Sequence, residues 1–427
     1  MRILVVGGGG REHALCSTLR RSPFVEELFC APGNPGIAEL ADCLPVSPGD
    51  IVEIADLAEK LQMDLTVVGP ELPLSLGIVD EFGKRDLPIF GPSSLAASIE
   101  TSKVFSKDFC RRNGIPTAEA VVCTTAEEAR GAIKKFGFPT VLKADGLAAG
   151  KGVLIVDSKE EAERALHLFF ADRVFGSAGD RILVEEFLKG SEASFLVVSD
   201  GETVVSLPTA RDYKKIFDGE RGPNTGGMGA HSPAGILDSA ASSRVLKEIV
   251  YPAIRGMAAE GRPFKGTLYA GLILTESGPR CLEFNARFGD PETEVVLPRI
   301  ASDVAALLLA ATGGELAKFP PLDVRPEACV GVVLAAAGYP GSYESGRPIE
   351  GLNEASRLPQ VEIFHAGTAR KGDALVTAGG RVLVVTATAS GMAEASARAY
   401  EAAEIIRFEG KTLRRDIGVA GIRSSRL

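Results

Sequence analysis

The stretch CLEFNARFGDPE, residues 281–292, decides the fold prediction. Its polar residues alternate with apolar ones, which is typical of a β-strand with one buried face. Glu283, Asn285 and Arg287 would share the other face and offer a carboxylate oxygen, an amide oxygen and a guanidinium. Mg²⁺ takes a few protein oxygens together with substrate phosphates, and Arg suits flat recognition of carboxylate or phosphate. The pattern indicates a nucleotide–metal site on a strand; the alternative is the solvated face of an ordinary amphipathic strand.

Composition restricts the class of protein. The chain has 427 residues, of which 45% are hydrophobic and 24% charged, with a net charge of -9. This length suits about three domains. An acidic chain is a poor partner for nucleic acid or a membrane surface, because both need positive charge to meet them. We therefore expect neither partner, and we expect local Lys and Arg to bind any anionic substrate.

The seven cysteines are odd in number and include no C-x-x-C pair, and the four histidines are scattered. Neither a disulfide framework nor a zinc site is indicated, so we expect free thiols in a reducing cytoplasm. A strand is predicted within three residues of Met1, which leaves no room for a signal peptide. No apolar run approaches the ~20 residues of a membrane span. We expect a cytoplasmic protein, either a monomer or a small homo-oligomer.

Strand-like and helix-like segments alternate over the first hundred residues, which predicts a parallel sheet with crossover helices. The predicted strands are residues 3–6, 25–30, 65–68 and 89–90, and the helix is 51–61. A small α+β unit follows, with helices at 126–136 and 159–170 and strands at 140–143, 153–156 and 181–185. A larger unit then contains the opening stretch and a helix at 303–311. The last part has strands at 329–336 and 381–386 and a helix at 393–408.

Three glycine-rich loops are candidate anion sites. Gly7 to Gly10 follow the first strand, where backbone N–H groups at a helix N-terminus could bind phosphate; G-x-G-x-x-G fails because position 12 is Glu. Residues 143–152, KADGLAAGKG, contain two lysines and could close over phosphates, or could be a plain flexible hairpin. Residues 223–229, PNTGGMG, could form a nest of N–H groups.

Glu185, Glu186, Phe187 and Leu188 end another predicted strand. The backbone of a strand end can recognise adenine between apolar walls, and Glu192 beyond it could accept hydrogen bonds from a ribose. Acidic strand ends are common, so this signal is weak by itself.

The order of these motifs resembles that of the ATP-grasp carboxylate–amine ligases, and within them the phosphoribosylamine–glycine ligase family. The resemblance runs along the whole chain, in motifs that include GGREHAL from Gly9, APGNPG from Ala31, VGPELPL from Val68, FGPSS from Phe90, SKVFSKDF from Ser102, LKADGLAAGKGV from Leu142, EEFLKGSEASF from Glu185, GPNTGGMGAHSPA from Gly222, LEFNARFGDPET from Leu282 and FHAGT from Phe364. The family pattern has Asn at the position of Gly8, and Gly there keeps the backbone nest.

The resemblance implies an α/β fold: a parallel-sheet N-terminal domain over residues 1–101, an ATP-grasp fold of two α+β subdomains over 102–322, and a small, mainly β C-terminal domain over 323–427. The lid subdomain would span about 120–188. The strand before the opening stretch, residues 270–274, carries no acid. Only Glu283 and Asn285 are therefore expected to bind metal, and one or two metal ions remain open.

The resemblance also implies roles for single residues. Lys103 and Lys143 would contact the ATP phosphates, with Gly146, Gly150, Lys151 and Gly152 in the lid. The adenine segment would be Glu185 to Leu188, with Glu192 on the ribose. Arg287 would hold the transferring phosphoryl group or the glycine carboxylate, and Arg287, Lys143 and Asp212 are the candidate catalytic residues. The amine substrate and glycine would be bound by residues from several loops, namely Gly9, Gly10, Arg11, Asn34, Glu71, Gly226, Gly227 and Arg287.

The implied reaction uses ATP and Mg²⁺ (or Mn²⁺) to join glycine to 5-phospho-β-D-ribosylamine through glycyl phosphate, as in purine biosynthesis. Three alternatives stay open: an ATP-grasp ligase for a different acid or amine, a nicotinamide oxidoreductase using the first glycine loop, and a non-catalytic nucleotide-binding module.

Overall fold

The computed structural model describes residues 1–146 and 152–419. Gly150 and Lys151 of the predicted lid lie outside the described residues. Among the described helices, none combines the length and the apolar character needed to cross a bilayer.

The N-terminal part is a five-stranded parallel sheet, as the alternation of strands and helices predicts. Successive residues of its central strand, Arg2–Gly7, alternate between two cores: Ile3 and Val5 pack into one, Leu4 and Val6 into the other. This explains why residues 3–6 of the strand are all apolar, since both faces of a parallel sheet are covered. The strands in sheet order are Asp42–Cys43, Glu27–Pro32, Arg2–Gly7, Leu65–Val68 and Ile89–Phe90, and the helices are Gly10–Arg20, Ile51–Lys60, Glu71–Ser75, Ile78–Gly83 and Ser94–Thr101.

The middle part, where the resemblance implies an ATP-grasp fold, consists of two antiparallel sheets that follow the helix Lys103–Arg112. The lid sheet has the order Ala120–Cys123, Ile182–Glu186, Thr140–Ala144 and Val153–Val156, with helices Ala126–Phe136 and Lys159–Leu166. The central sheet has the order Val204–Ser206, Ser191–Asp200, Lys265–Thr275 and Gly278–Asn285, with helices Ser239–Val245, Tyr251–Ala259, Thr293–Val296 and Val304–Gly313. A parallel bridge between Thr117 and Cys281 connects the start of the lid part to the central sheet.

The C-terminal sheet takes two strands from earlier in the chain. Its order is Arg211–Asp212, Gly229–Ser232, Ala328–Ala335, Arg381–Ala389 and Val361–His365. The helix Met392–Ile405 packs on it beside the short helix Leu352–Ala355, and two hairpins pair Lys215–Phe217 with Arg221–Asn224 and Thr368–Lys371 with Ala374–Thr377. The strand bearing Asp212 is therefore held by the C-terminal sheet, and the site is built between parts distant in sequence.

Candidate active site

The strand Gly278–Asn285 carries Glu283 toward a group of lysines, as the alternating pattern predicts. Glu283 Oε1 lies 3.4 Å from Lys214 Nζ. Lys214 is the largest influence that lowers the pKa of Glu283, to about 2, and Lys143 and Lys103 add to it against the opposing effect of burial. We call Lys103, Lys107, Lys143 and Lys214 the lysine cluster. Glu283 is therefore an anion at any ordinary pH.

Lys143, at the end of a lid-sheet strand, is buried and fixed. Its Nζ lies 2.9 Å from Glu185 Oε2 and donates to the Leu282 carbonyl at 3.1 Å. Glu185 Oε1 is also 3.2 Å from Lys107 Nζ. Burial acts to lower the pKa of Lys143, but the Glu185 and Glu283 carboxylates outweigh it and the pKa is raised. The Glu185 side chain therefore holds Lys107 and Lys143 in place, while its backbone lies at the strand end where adenine recognition is predicted.

Lys103 marks the base of the predicted lid. Its Nζ donates to the Gly146 carbonyl at 2.9 Å. Asp145 Oδ1, one residue earlier, accepts from Ser102 Oγ at 2.9 Å and from Val104 N at 3.1 Å, so it caps the helix that begins with Lys103. Gly152 closes the other end, where its carbonyl accepts from Ala144 N at 2.8 Å. The two ends of the loop are therefore anchored beside the lysine cluster.

Glu283 and Asn285 suit a divalent cation. Gly271 lies opposite Glu283, and a Cβ there would come within 3.2 Å of Glu283 Cγ, so a side chain at 271 would press on this carboxylate. Asn285 Oδ1 has a single long contact, 3.5 Å from Arg287 Nη2. In the described ranges no group of three or more His, Cys, Asp or Glu residues could hold a metal. A cation here would thus depend on these two oxygens and on substrate phosphates, as Mg²⁺ commonly does.

Arg287 is held between two acids. Its Nε is 2.9 Å from Glu71 Oε2 and its Nη2 is 3.1 Å from Glu100 Oε1. The Nε contact is an ion pair rather than a hydrogen bond, because Nε is buried without a hydrogen-bond partner in the described chain. Glu100 also accepts from Ala286 N at 2.7 Å, which ties the N-terminal part to the end of the strand Gly278–Asn285. Burial raises the pKa of the Glu100 carboxyl, and Arg287 opposes that rise.

Asp212 faces a small polar cavity beside the lysine cluster. Its Oδ1 is buried and has no hydrogen-bond partner among the described residues. Nearby, Glu292 Oε1 accepts from Tyr269 Oη at 2.6 Å and from Ser194 Oγ at 2.9 Å. Burial and the Glu292 charge raise the pKa of Asp212 well above its usual value, although Lys214 opposes them. An unpartnered carboxyl among acids is suited to receive a small cation.

The predicted substrate-binding residues of the first glycine loop and of the loop that contains Asn34 make contacts within the protein. Gly9 begins the helix Gly10–Arg20, and Gly9 N donates to Glu12 Oε2 at 2.6 Å. Arg11 is buried, with Nε 2.6 Å from Glu12 Oε1 and Nη1 3.2 Å from the Phe288 carbonyl. Asn34 uses both ends of its amide internally: Nδ2 donates to Gly8 and His365 carbonyls at 3.0 and 2.7 Å. Oδ1 accepts from two backbone N–H groups, so Asn34 is a structural clamp here and its contact with substrate stays a prediction.

Gly226 and Gly227 lie next to the acid-rich turn that follows the strand Gly278–Asn285. Gly226 N donates to Tyr339 Oη at 2.9 Å. Gly227 has φ +117°, and a Cβ there would come within 2.4 Å of Pro291 Cδ and 2.7 Å of Asp212 Oδ1. A side chain at 227 would therefore press on Asp212, which explains the glycine pair.

The predicted adenine segment lies at the junction of the lid sheet and the central sheet. Glu186 N donates to the Glu119 carbonyl at 3.0 Å, and Glu186 Oε1 accepts from Glu119 N at 2.9 Å. Phe187 is 36% exposed, so an apolar wall is available to a ligand. Glu192 is exposed, with Oε2 3.8 Å from Lys214 Nζ.

A C-terminal arginine fixes the extended segment that carries Asp212 and Lys214. Arg414 is fully buried; its Nη1 donates to the Lys215 carbonyl at 2.9 Å and its Nη2 to Glu220 Oε1 at 2.8 Å. Its guanidinium lies 5.0 Å from the centre of the Tyr213 ring. Gly418 N donates to Tyr213 Oη at 3.1 Å, so residues 414–418 clamp the residue between Asp212 and Lys214.

The sequence reasoning missed five residues that the structure brings to the site, Lys107, Lys214, Glu100, Glu292 and Arg381. Lys214 had a usable signal, because Asp212 and Lys214 are two apart in an extended segment and share one face. Lys107 lies four residues after Lys103 on one helix face. Arg381 had no local signal, since its partners lie far away in sequence.

Comparison with known proteins agrees along the chain. Three models of phosphoribosylglycinamide synthetase match: the N domain over residues 1–100, the ATP-grasp (A) domain over 101–293 and the C domain over 329–420. A phosphoribosylamine–glycine ligase of Vibrio vulnificus (strain YJ016) is 47% identical over 430 residues, covering 99% of each chain. One of Pseudomonas aeruginosa is 48% identical over 430 residues, covering 100% of this chain and 99% of the other.

Solved structures give the same result. The crystal structure of a phosphoribosylamine–glycine ligase from Thermotoga maritima superposes with a TM-score of 0.84 at 39% identity, covering 97% of this chain and 100% of the other. An N5-carboxyaminoimidazole ribonucleotide synthetase from the same organism, 19% identical with a TM-score of 0.65, shares the fold. The chain belongs to the phosphoribosylglycinamide synthetase family of ATP-grasp, ATP-dependent ligases.

Proposed function

We propose that the chain joins glycine to 5-phospho-β-D-ribosylamine at the expense of ATP, giving glycinamide ribonucleotide, ADP and phosphate. The observation that carries the proposal is the match to this family from the first domain to the last. Family membership sets aside the oxidoreductase and the non-catalytic alternatives. A ligase for a different acid or amine is the remaining competitor.

The lysine cluster would bind ATP and stabilise the transfer of its γ-phosphoryl group. ATP-grasp enzymes use ATP with a divalent cation. Lys103 and Lys143 would contact the phosphates, and Glu283 and Asn285 would hold Mg²⁺ or Mn²⁺, which supplies charge neutralisation at the phosphates when bound. The adenine would lie at Glu185 to Leu188 and its ribose at Glu192. Phosphoryl transfer depends chiefly on such positioning and charge, so no enzyme nucleophile is required.

Glycine would lie between Arg287 and Asp212. Arg287 would receive the carboxylate or the transferring phosphoryl group, in exchange for part of its present pairing with Glu71 and Glu100. The unpartnered Asp212 Oδ1 would accept from the glycine ammonium, with Glu292 close by. The carboxylate oxygen attacks the γ-phosphorus, and the bond from that phosphorus to the ADP oxygen breaks.

The amine half of the reaction would take place near the glycine loops, where Gly9, Gly10, Arg11, Gly226 and Gly227 would bind the phosphorylated sugar. The ribosylamine nitrogen attacks the carbonyl carbon of glycyl phosphate. A C–N bond forms, the bond from carbon to the phosphate oxygen breaks, and the amine releases a proton. Water must be excluded because glycyl phosphate hydrolyses, and this is the chemical purpose that we assign to the predicted lid.

Isotope transfer tests the proposal. With glycine labelled by ¹⁸O in its carboxylate, ATP and ribosylamine, we expect one labelled oxygen in the released phosphate. Unlabelled phosphate would rule out the acyl-phosphate route. ADP release that is faster with another amino acid than with glycine would favour the competing ligase. The oligomeric state and a cytoplasmic location stay predictions.

A further inference from the structure

Arg381 belongs to the C-terminal sheet, and its side chain contacts two residues of the candidate site, Gly226 and Asp290. It is the first residue of the strand Arg381–Ala389, and its Nη1 donates to the Gly226 carbonyl at 2.8 Å and to the Asp290 carbonyl at 3.0 Å. The same nitrogen is 2.9 Å from Asp290 Oδ1. One guanidinium nitrogen thus holds both the second glycine loop and the acid that follows the metal strand.

The other two guanidinium nitrogens of Arg381, Nε and Nη2, do not hold these loops. Within residues 1–146 and 152–419, Nε and Nη2 make no hydrogen bond to protein atoms. The Arg381 side chain is 21% exposed to solvent. A guanidinium whose outer N–H groups are free is suited to oxygen atoms of a phosphate or a sugar.

Tyr339 supports the same grip from the C-terminal part. Its hydroxyl accepts from Gly226 N, while Arg381 Nη1 donates to the Gly226 carbonyl, so both backbone groups of one glycine are held. A Cβ at Gly226 would come within 3.2 Å of Arg381 Cζ and 3.3 Å of Tyr339 Oη. The loop position is therefore set by the C-terminal part of the chain.

The other side of Asp290 faces the first glycine loop. Asp290 Oδ2 lies 3.6 Å from the position that a Cβ on Gly9 would take. Glu294 lies just beyond, fully buried, with Oε1 only 2.5 Å from the corresponding position on Gly10. We call Gly9, Gly10, Gly226, Asp290, Glu294 and Arg381 the three-part junction, because the N-terminal, ATP-grasp and C-terminal parts meet there.

We propose that Arg381 is a positioning residue for the amine substrate. It fixes Asp290 and Gly226 against the Gly9–Gly10 loop and presents its free nitrogens to ribose or phosphate oxygens of the substrate. The inference rests on the proposed function, because it assigns the junction to the phosphorylated amine. It goes further in giving the C-terminal part a direct share in recognising that substrate.

The test compares Arg381→Met and Arg381→Lys with a matched control, Arg347→Met. Arg347 lies in the C-terminal part and pairs only with exposed acids, Glu344 and Glu409. Ribosylamine is generated in the assay from ribose 5-phosphate and ammonia, and the KM of each substrate is measured separately. We expect Arg381→Met to lower kcat/KM for ribosylamine about 10- to 100-fold, as loss of a charged hydrogen bond does. The KM values of ATP and glycine should stay the same, and Arg381→Lys should recover part of the loss.

A second amine separates positioning from general support of the fold. Hydroxylamine needs no sugar pocket, so ADP release with glycine and hydroxylamine should be the same for wild type and Arg381→Met. Equal losses with both amines, or unchanged kcat/KM for ribosylamine in a folded Arg381→Met protein, would overturn the inference. Wild-type protein that fails to turn over glycine and ribosylamine would instead overturn the proposed function.

Discussion

Glu283 and Glu294 are identical side chains on one stretch of chain, yet the lysine cluster and the three-part junction treat them in opposite ways. Glu283 lies among cations, and its pKa falls to about 2. Glu294 is buried next to Asp290, with no hydrogen-bond partner for either carboxyl oxygen among the described residues, and burial raises its pKa well above the usual value. The difference teaches that the neighbours, rather than the residue type, decide which acid can serve a metal and which is kept neutral.

The largest effect should come from the cation-rich side. Glu283→Gln removes the anion that would hold the metal and leaves Lys214 without its closest partner, so we expect turnover to fall about 100-fold or more. Steady-state ADP release at ordinary Mg²⁺ measures this, and circular dichroism checks the fold. Glu260→Gln, at an exposed ion pair with Arg112, is the control and should keep wild-type activity. Full activity in Glu283→Gln would show that the metal assignment is wrong.

Lys214→Met asks whether the cluster depends on a lysine that sequence reasoning did not single out. Without it, the strongest influence on the Glu283 pKa is gone and Glu192 loses its nearest cation. We expect turnover to fall about 10- to 100-fold, since one charged contact is removed. The adjacent Lys215→Met should change little, because the side chains of neighbouring residues in an extended segment point to opposite faces. Equal losses in both variants would mean that only general charge matters.

Asp212→Asn tests an acid on the border between the two regions. If Asp212 receives the glycine ammonium, the variant should raise the KM of glycine about tenfold, since an amide gives up the charged part of the contact. The KM of ATP should not change. Asp172→Asn, on an exposed part of the lid, is the matched control. A normal KM for glycine in Asp212→Asn would move the ammonium site elsewhere.

The smallest effect should be a change of stability at Glu294. A carboxyl whose pKa is raised by folding binds its proton more tightly in the folded state, so stability falls as pH rises from its unfolded pKa toward its folded pKa. Glu294→Gln lacks this loss. Its melting temperature relative to wild type should therefore rise between pH 5 and pH 8, by about 2 °C for each kcal/mol involved. Glu202→Gln, an exposed control, should show no such trend, and a flat difference for Glu294→Gln would contradict the buried-acid account.

Local patterns were enough to predict much of the fold. The alternating residues of 281–292 predicted that Glu283 lies on the polar face of a strand, and the alternation of strand-like and helix-like segments over the first hundred residues predicted the parallel sheet. One helix end was wrong: helix was predicted to Phe408, but it ends at Ile405. Arg407 instead exchanges backbone hydrogen bonds with Glu350. Pairing with a distant segment overrides helix propensity there, and no residue near 405 in the sequence indicates that the helix ends.

The candidate site was predictable only where its residues lie on regular local elements. Lys143, Glu283 and Asn285 follow from strand ends and strand faces. The ion pairs of Arg287 with Glu71 and Glu100, and of Arg381 with Asp290, join residues that no periodicity relates. The charge states also escaped prediction, because burial and partners are properties of the packed chain.

The contacts of Arg414 affect when the protein can fold during its synthesis on the ribosome. The segment with Asp212 and Lys214 is made halfway through synthesis, but Arg414 reaches Lys215 only across 199 residues of chain. A nascent chain can fold its N-terminal part first. We expect residues 211–214 not to reach their final conformation until residues 414–418 have left the exit tunnel. The protein would then be unable to consume ATP while it is still being translated.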